Sequence, residues 1–225
     1  MTICIAALYD NGSGCVLASD QMITAHFPIG YEFERPEVEK IVQIIDPISV
    51  YSLISGDVLF ANEVIDEARK QITSTKMKET CDIAEAVRNS YQLVRRRRIV
   101  RNELEARGLD ITTYYQTQQR LVIAIVQMID NAFKTYNPRV EFIIAGKDES
   151  LCHIYTVTSP GDSICHDCIG YAAIGTGAPH AIYALIESNY SKSMEKATVE
   201  EIVKKAKKRS EVAPGVGKET TIITK

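Results

Sequence analysis

Long hydrophobic runs are missing from this sequence of 225 residues. The nearest candidate, from Leu121 to Ile129, is interrupted by Gln127 and falls well short of the ~18 consecutive apolar residues that a membrane span needs. No basic residue precedes the first apolar run, residues 3–8, as it would in a secretory signal. The sequence therefore predicts a chain without a membrane segment, and we expect it to be cytoplasmic.

Cysteine and positive charge are also in short supply. Six cysteines in 225 residues are too few for a disulfide scaffold, and free thiols in a reducing compartment are expected. With 26 Lys and Arg against 29 Asp and Glu, the net charge of -3 argues against a general nucleic-acid binder. Hydrophobic residues make up 45% of the chain, close to the globular average, which excludes disorder of the whole chain.

Hydrophobic periodicity predicts strands first, then helices, then strands again, with two helices before a final strand. The predicted strands are 3–8, 15–18, 41–45, 50–54, 140–146, 153–157, 169–174 and 220–224. The predicted helices begin at 58 and at 81, and continue with 114–136, 178–190 and 198–209. Hairpin-linked strands beside grouped helices indicate an α+β fold rather than alternating βαβ units. Residues 1–225 are expected to form one domain.

Thr2 is the first residue with possible chemistry. Removal of Met1 would leave the threonine hydroxyl and a free α-amine on one residue, and such a threonine can act as nucleophile with its own amine as base. An α-amine has an ordinary pKa of about 7.7–8.0, and a nearby lysine ammonium would lower that pKa. Taken alone, however, Thr2 is more often an ordinary residue that begins a strand.

Four further positions lie where such a site would need them. Asp20 ends the second predicted strand, and Lys40 begins the third. Gly56 follows Ser55 at a strand-to-helix turn, and Thr176 stands between two glycines ahead of another helix. Each feature is common by itself. Their order along the chain is what makes them informative.

This ordered set resembles the active β-subunits of the proteasome and their simpler bacterial relatives. The resemblance covers about residues 2–90 and 138–225. Besides Thr2 and the apolar strand after it, it depends on the following strings: Leu17-Ala18-Ser19-Asp20, Glu39-Lys40-Ile41-Val42-Gln43-Ile44, Ile54-Ser55-Gly56-Asp57, Phe142-Ile143-Ile144-Ala145-Gly146 and Ile174-Gly175-Thr176-Gly177-Ala178-Pro179. The resemblance implies an N-terminal-nucleophile (Ntn) hydrolase with a four-layer αββα sandwich.

The resemblance also implies a role for each position. Thr2 would be the nucleophile and its freed amine the general base. Lys40 would tune that amine, and Asp20 would orient Lys40. The backbone N–H of Gly56 would stabilise the oxyanion, and Thr176 would supply the hydroxyl for which the family normally uses serine.

Three residues correspond to substrate-binding positions. Thr24 falls where the family pairs with the substrate backbone in the manner of an added strand. Ile54 and Val58 fall on the positions that line the first specificity pocket. The resemblance therefore implies cleavage after an apolar side chain.

The sequence departs from the family pattern in its support residues. Near the C-terminus, Glu211 takes the place of an aspartate with one inserted residue, so it is counted among the catalytic candidates. Pro214 occupies a serine position and offers neither a hydroxyl nor an N–H. Met22 stands where an arginine is usual. Such changes are compatible with an altered reaction or with an inactive ring member.

A helical segment of about residues 95–125, after the second helix, is extra relative to a typical β-subunit. Its run Arg95–Arg98 is interpreted as a solvated helix face. A zinc site at Cys165 and Cys168 is disfavoured, because residues three apart on a strand point to opposite faces. No metal and no cofactor are expected.

The function predicted from the resemblance is a threonine peptidase in a self-compartmentalising, homo-oligomeric ring. Its substrate would be a protein or peptide, and an ATPase unfoldase is a possible partner. Three alternatives stay open: a peptide ligase or transpeptidase, a small-molecule amidohydrolase, and an inactive structural ring subunit.

Overall fold

The computed structural model describes residues 2–27, 29–34, 39–149 and 151–225, and for residues 23–27 and 29–34 it describes the backbone alone. The strands are β1 Cys4–Tyr9, β2 Gly14–Asp20, β3 Met22–Phe27, β4 Ile29–Glu34, β5 Ile41–Gln43, β6 Val50–Ser55, β7 Glu141–Lys147, β8 Cys152–Thr158, β9 Asp162–Cys165, β10 Tyr171–Ile174 and β11 Thr220–Thr224. The α-helices are α1 Val58–Thr75, α2 Thr80–Ile99, α3 Ile111–Thr117, α4 Ile123–Thr135, α5 Ala178–Glu187 and α6 Lys196–Ser210. Helix and strand are thus mixed in one fold.

Two larger antiparallel sheets and one hairpin contain these strands. The first sheet has the order β10-β1-β2-β11, and the second has the order β5-β6-β7-β8-β9. β3 pairs with β4. In the first sheet β1 is bonded on both sides, so that Ile5 lies opposite both Ala18 and Ala173. This internal position fixes the start of the chain firmly in the sheet.

The side chains of β1 alternate between two apolar clusters, as the two-residue period of a strand requires. Cys4, Ala6 and Leu8 pack with residues of β6, β7 and β8 from the second sheet. Ile3, Ile5 and Ala7 pack with residues of α5 and α6. A third cluster joins β6 and β7 to α1 and α2. The residue that begins β1 is therefore held between well-packed surfaces.

Most predicted elements are confirmed, with two kinds of difference. The predicted helix 114–136 is wrong as one element: α3 and α4 are separate, and Leu121 between them is extended. Both helices bury few residues, chiefly Tyr114 and Ile129 in a small cluster of their own. The strands β3, β4 and β9 were not predicted. β9 has only four residues, whereas β4 alternates Ile29, Tyr31 and Phe33 with glycine and glutamate, a strand signal that was missed. Among the described residues, no helix combines the length and apolar character needed to cross a membrane.

Arg95 and Arg98 are only partly exposed and bond to other elements, so the interpretation of Arg95–Arg98 as a solvated face is wrong for these two. Exposed Arg97 lies 3.8 Å from Glu67. The Arg95 guanidinium donates to the carbonyls of Phe133 at 2.6 Å and Tyr136 at 2.9 Å, where α4 ends. Arg98 forms an ion pair with Glu63 at 2.7 Å. Arg95 thereby attaches the end of α4 to α2.

Candidate active site

Thr2, Lys40 and Asp20 come together at the head of β1. Thr2 directly precedes Ile3 and β1, and it is only 3% exposed. The Lys40 ammonium donates a hydrogen bond to the Thr2 hydroxyl. The same ammonium lies 2.7 Å from Asp20 Oδ1, with both side chains almost fully buried. The predicted ion pair and its contact with the threonine hydroxyl are therefore present in the geometry.

The Asp20 carboxylate is held by more than Lys40. Its Oδ1 also accepts the N–H of Ile3 at 3.0 Å, and its Oδ2 accepts those of Met22 at 3.2 Å and Gly217 at 2.9 Å. Asp20 is fully buried, and a buried carboxylate needs such donors. Three chain segments thus fix the group that faces Lys40.

The backbone of Thr2 is bound by the segment after β10. The Thr2 N–H donates to the Thr176 hydroxyl at 3.4 Å, and that hydroxyl donates to the Thr2 carbonyl at 3.4 Å. The Gly177 N–H donates to the same carbonyl at 3.2 Å. Gly175 has a φ of +92°, and a Cβ there would lie 2.3 Å from the Thr2 carbonyl oxygen. Only glycine allows this close approach.

These contacts agree with a match to a known family. The model of the proteasome subunit family matches residues 92–211, just over half of the chain. The chain belongs to the proteasome subunit family. The matched stretch contains Thr176 and Glu211, whereas Thr2, Asp20, Lys40 and Gly56 lie before it.

A solved structure similar to this proteasome-family chain is a Gly-1 mutant of Anbu from Hyphomicrobium sp. strain MC1. The two chains share 12% identity with a TM-score of 0.65, and the match covers 99% of this chain and 80% of the other. At this identity the likeness shows the fold, which is the proteasome-like Ntn fold. Among curated proteins, no match was found.

Gly56 lies in the turn between β6 and α1 with a φ of +107°. A Cβ at this position would lie 1.9 Å from the carbonyl oxygen of Arg139. Neighbouring Ser55 is near the Thr2 backbone, because its Oγ would lie 3.0 Å from a Cβ on Gly175. The turn that carries Gly56 is therefore close to the site.

Sequence reasoning missed two residues of this region. Glu141, the first residue of β7, accepts the N–H of Gly175 at 3.0 Å, and Gly217 donates to Asp20. Glu141 directly precedes one of the strings that carried the resemblance, so a carboxylate at the start of a strand was the available signal. Gly217 acts through its backbone, which gives the sequence no signal.

Among the residues that the structure describes, the Glu211 carboxylate makes no direct bond to the groups around Thr2. It accepts from Lys207 at 2.9 Å and from Lys208 at 2.7 Å. Burial by itself raises the pKa of Glu211, but the two ammonium groups outweigh burial, and the net effect lowers the pKa. Its link to Asp20 is indirect, through the loop that Lys207 binds.

The three predicted substrate-binding residues differ in their surroundings. Ile54 is buried against α1 and α2, and its carbonyl accepts from the Cys4 thiol at 3.5 Å. Val58 begins α1 and is 45% exposed. The side chain of Thr24 lies outside the described residues. Val58 is thus the one of these three that offers the solvent a described apolar surface.

Cys4, two residues after Thr2 in the chain, is another side chain that could in principle act as a nucleophile. Burial raises the pKa of the Cys4 thiol to about 12. A thiol rather than a thiolate is a poor nucleophile at neutral pH. The geometry therefore favours the Thr2 hydroxyl as the reactive group.

The predicted strand geometry around Cys165 and Cys168 is only half right. Cys165 ends β9, whereas Cys168 lies in the turn that follows. Nearby His153 bonds through Nδ1 to Asp167 at 2.6 Å and through Nε2 to Asp148 at 3.1 Å. Within the described part of the chain, no three His, Cys, Asp or Glu residues are arranged to hold a metal ion.

Proposed function

We propose that this proteasome-family chain is an N-terminal-nucleophile hydrolase that cleaves peptide bonds with Thr2 once Met1 has been removed. One observation carries the proposal: the Lys40 ammonium contacts both the Thr2 hydroxyl and the buried Asp20 carboxylate. A lysine in this position places positive charge beside the nucleophile and its future amine. The family match supports the hydrolase class.

The general base is the Thr2 nitrogen. Removal of Met1 turns this nitrogen into an α-amine with an ordinary pKa of about 7.7–8.0. Lys40 lowers that pKa by repulsion between like charges, which increases the neutral, basic fraction. The same nitrogen already donates to the Thr176 hydroxyl at 3.4 Å. Thr176 is therefore proposed to orient the base, as Asp20 orients Lys40.

The reaction is acyl transfer. Thr2 Oγ attacks the peptide carbonyl while the amine takes its proton, directly or through a water. The tetrahedral intermediate then expels the leaving amine, which receives that proton, and an ester to Thr2 forms. Water activated by the same amine hydrolyses the ester. An incoming amine in place of water would give ligation.

The Gly56 N–H is proposed as the oxyanion donor. Its turn lies near the Thr2 backbone, and its positive φ requires glycine. Loss of one such donor typically costs about 2.7–4 kcal/mol of barrier. Thr24 is proposed to pair with the substrate backbone. Ile54 and Val58 are proposed to border the pocket for an apolar residue before the cut bond, with exposed Val58 as the contacting surface.

The assembly is proposed from family membership. A homo-oligomeric ring would enclose the site and restrict access to unfolded protein or peptide, with an ATPase unfoldase as a possible partner. The three apolar clusters of the fold support the proposed αββα layering, since one joins residues of both sheets and each of the others joins one sheet to helices. Residues 95–125 are proposed as an added helical segment of this sandwich.

Intact mass followed by chemical labelling tests the function. Protein whose mass confirms loss of Met1 is treated with an electrophile directed at N-terminal threonine, and the adduct is mapped. We expect one adduct on Thr2, strongly slowed in Lys40→Met and unchanged in the control Thr112→Ala, which alters an exposed threonine of α3. A processed protein that forms no adduct would instead be a structural subunit. Product analysis with a peptide and a second amine separates hydrolysis from ligation.

A further inference from the structure

Lys207 is a buried lysine in the last turn of α6. It is 2% exposed, and an unpaired ammonium is strongly unfavourable at such a place. Its Nζ donates to Glu211 Oε1 at 2.9 Å, to the Gly217 carbonyl at 2.9 Å and to the Lys218 carbonyl at 2.5 Å. An ammonium has three donors, and all three are matched. Lys207 therefore binds the loop 211–219 at one carboxylate and two backbone carbonyls.

Gly217 connects this lysine to the site. Its carbonyl accepts from Lys207, while its N–H donates to Asp20 Oδ2 at 2.9 Å. Asp20 in turn binds Lys40 at 2.7 Å, and Lys40 donates to the Thr2 hydroxyl. From Lys207 to Thr2, consecutive residues of this series are joined by direct hydrogen bonds. The position of the Gly217 N–H thus depends on a side chain that touches neither Thr2 nor Lys40 in the described contacts.

We propose that Lys207 is a positioning residue of the Thr2 site, acting through Gly217 on Asp20. The proposal rests on the proposed function for its effect on reactivity. It assigns Glu211 a purpose as the carboxylate that pairs with the buried Lys207 side chain. The chain holds this loop through Lys207 where Pro214 can offer neither hydroxyl nor N–H.

The first measurement is hydrogen exchange of the Gly217 amide in the full chain. Lys207→Met is compared with Lys208→Met, which alters an exposed neighbour. Lys208 also binds Glu211 but makes no bond to the loop carbonyls within the described part of the chain. We expect Gly217 to exchange about tenfold faster in Lys207→Met, the effect of losing roughly one hydrogen bond, and unchanged in Lys208→Met. The Ile5 amide in β1 reports overall stability. Equal acceleration of Ile5 and Gly217, or no change at Gly217, overturns the proposal.

The second measurement is the pH profile of adduct formation at Thr2. The acid limb of this profile follows the Thr2 amine, the proposed base, and a Lys40 ammonium that Asp20 holds less firmly lowers the pKa of that amine less. The acid limb is therefore expected to move to higher pH in Lys207→Met, with a rate about tenfold lower at neutral pH. Lys207→Arg should restore most of the rate. A lower rate with an unmoved limb, or the same movement in Lys208→Met, overturns the proposal.

A further variant tests the proposal in case Lys207→Met does not fold. If Lys207→Met gives no folded protein, Glu211→Gln decides with the same two readouts, because it removes the counter-ion and keeps the side-chain shape. Unchanged Gly217 exchange and an unmoved limb in Glu211→Gln overturn the proposal. Wild-type protein that forms no adduct refutes the proposed function, whereas selective loss of Gly217 protection in Lys207→Met would still support the link from Lys207 to Asp20.

Discussion

Replacing Asp20 by asparagine tests the electrostatic arrangement at the head of β1. Both carboxylate oxygens accept two donors: Oδ1 binds the Ile3 N–H and Lys40, and Oδ2 binds the N–H groups of Met22 and Gly217. Asparagine has one oxygen and one NH₂ group. Whichever way it turns, the NH₂ group faces two donors. Asp20→Asn therefore loses the ion pair and creates a conflict within a fully buried site.

The magnitude follows from this count. Breaking a buried ion pair by removing one partner costs about 3–5 kcal/mol, and this is our expectation for the free energy of unfolding of Asp20→Asn. In Lys40→Met the carboxylate keeps its three backbone donors, so the loss is closer to that of one charged hydrogen bond, about 1.5–3 kcal/mol. In the variant that combines Asp20→Asn with Lys40→Met, the asparagine NH₂ group can turn toward the position that the Lys40 ammonium occupied. The sum of the stability losses in the two single variants should then exceed the loss measured in the double variant by at least about 1 kcal/mol.

Urea unfolding of the wild type, the two single variants and the double variant measures these differences. All samples are compared at one protein concentration, because assembly stabilises the folded chain by mass action. Unchanged m-values show that the midpoint shifts report stability. Additivity within about 0.5 kcal/mol, or an Asp20→Asn protein as stable as Lys40→Met, would refute the reasoning.

Three further predictions concern other parts of the fold. Gly56→Ala should lower the free energy of unfolding by at least about 1–3 kcal/mol, the range for a residue held in a strained backbone region, and a midpoint equal to wild type in urea would contradict the close contact. Arg95→Met should speed limited proteolysis within 105–135, since two carbonyls at the end of α4 lose their donor, whereas exposed Arg96→Met should not; equal rates would contradict the attachment. Burial lowers the pKa of His153, but Asp167 and Asp148 outweigh it, and the pKa is raised overall. The stabilisation by His153 is therefore complete below about pH 6.5 and is lost as the pH rises through the folded-state pKa. The difference in unfolding free energy between wild type and His153→Gln should shrink with rising pH. A difference that grows with pH would contradict the predicted sign.

The sequence predicted the elements that have a strong apolar pattern. β2 and β6 are buried throughout, and β1 is buried in all but its last residue, Tyr9. α1 and α2 repeat apolar residues at helical spacing, so each of these elements was found within a few residues. α3 and α4 were merged because their apolar residues serve a small separate cluster around Tyr114 and Ile129. The break between them at Leu121 depends on that packing, which no local pattern encodes.

The candidate site divides in the same way. Thr2, Asp20, Lys40 and Thr176, which the structure brings together, were proposed from the resemblance of the ordered set, because each stands at the end of a predicted element. The donors from Ile3, Met22 and Gly217 are backbone groups, which every residue other than proline possesses. Glu211 was placed at the site by alignment to a pattern, whereas its contacts depend on Lys207, a residue whose burial could not be foreseen.

The bond from the Gly217 N–H to Asp20 also has a consequence for biosynthesis. The two residues are 197 positions apart, so on the ribosome the donor is made long after the acceptor. Until then the Asp20 carboxylate lacks one of its backbone donors. Under the proposed function, Thr2 therefore gains its complete set of supporting groups only after the loop 211–219 has been synthesised.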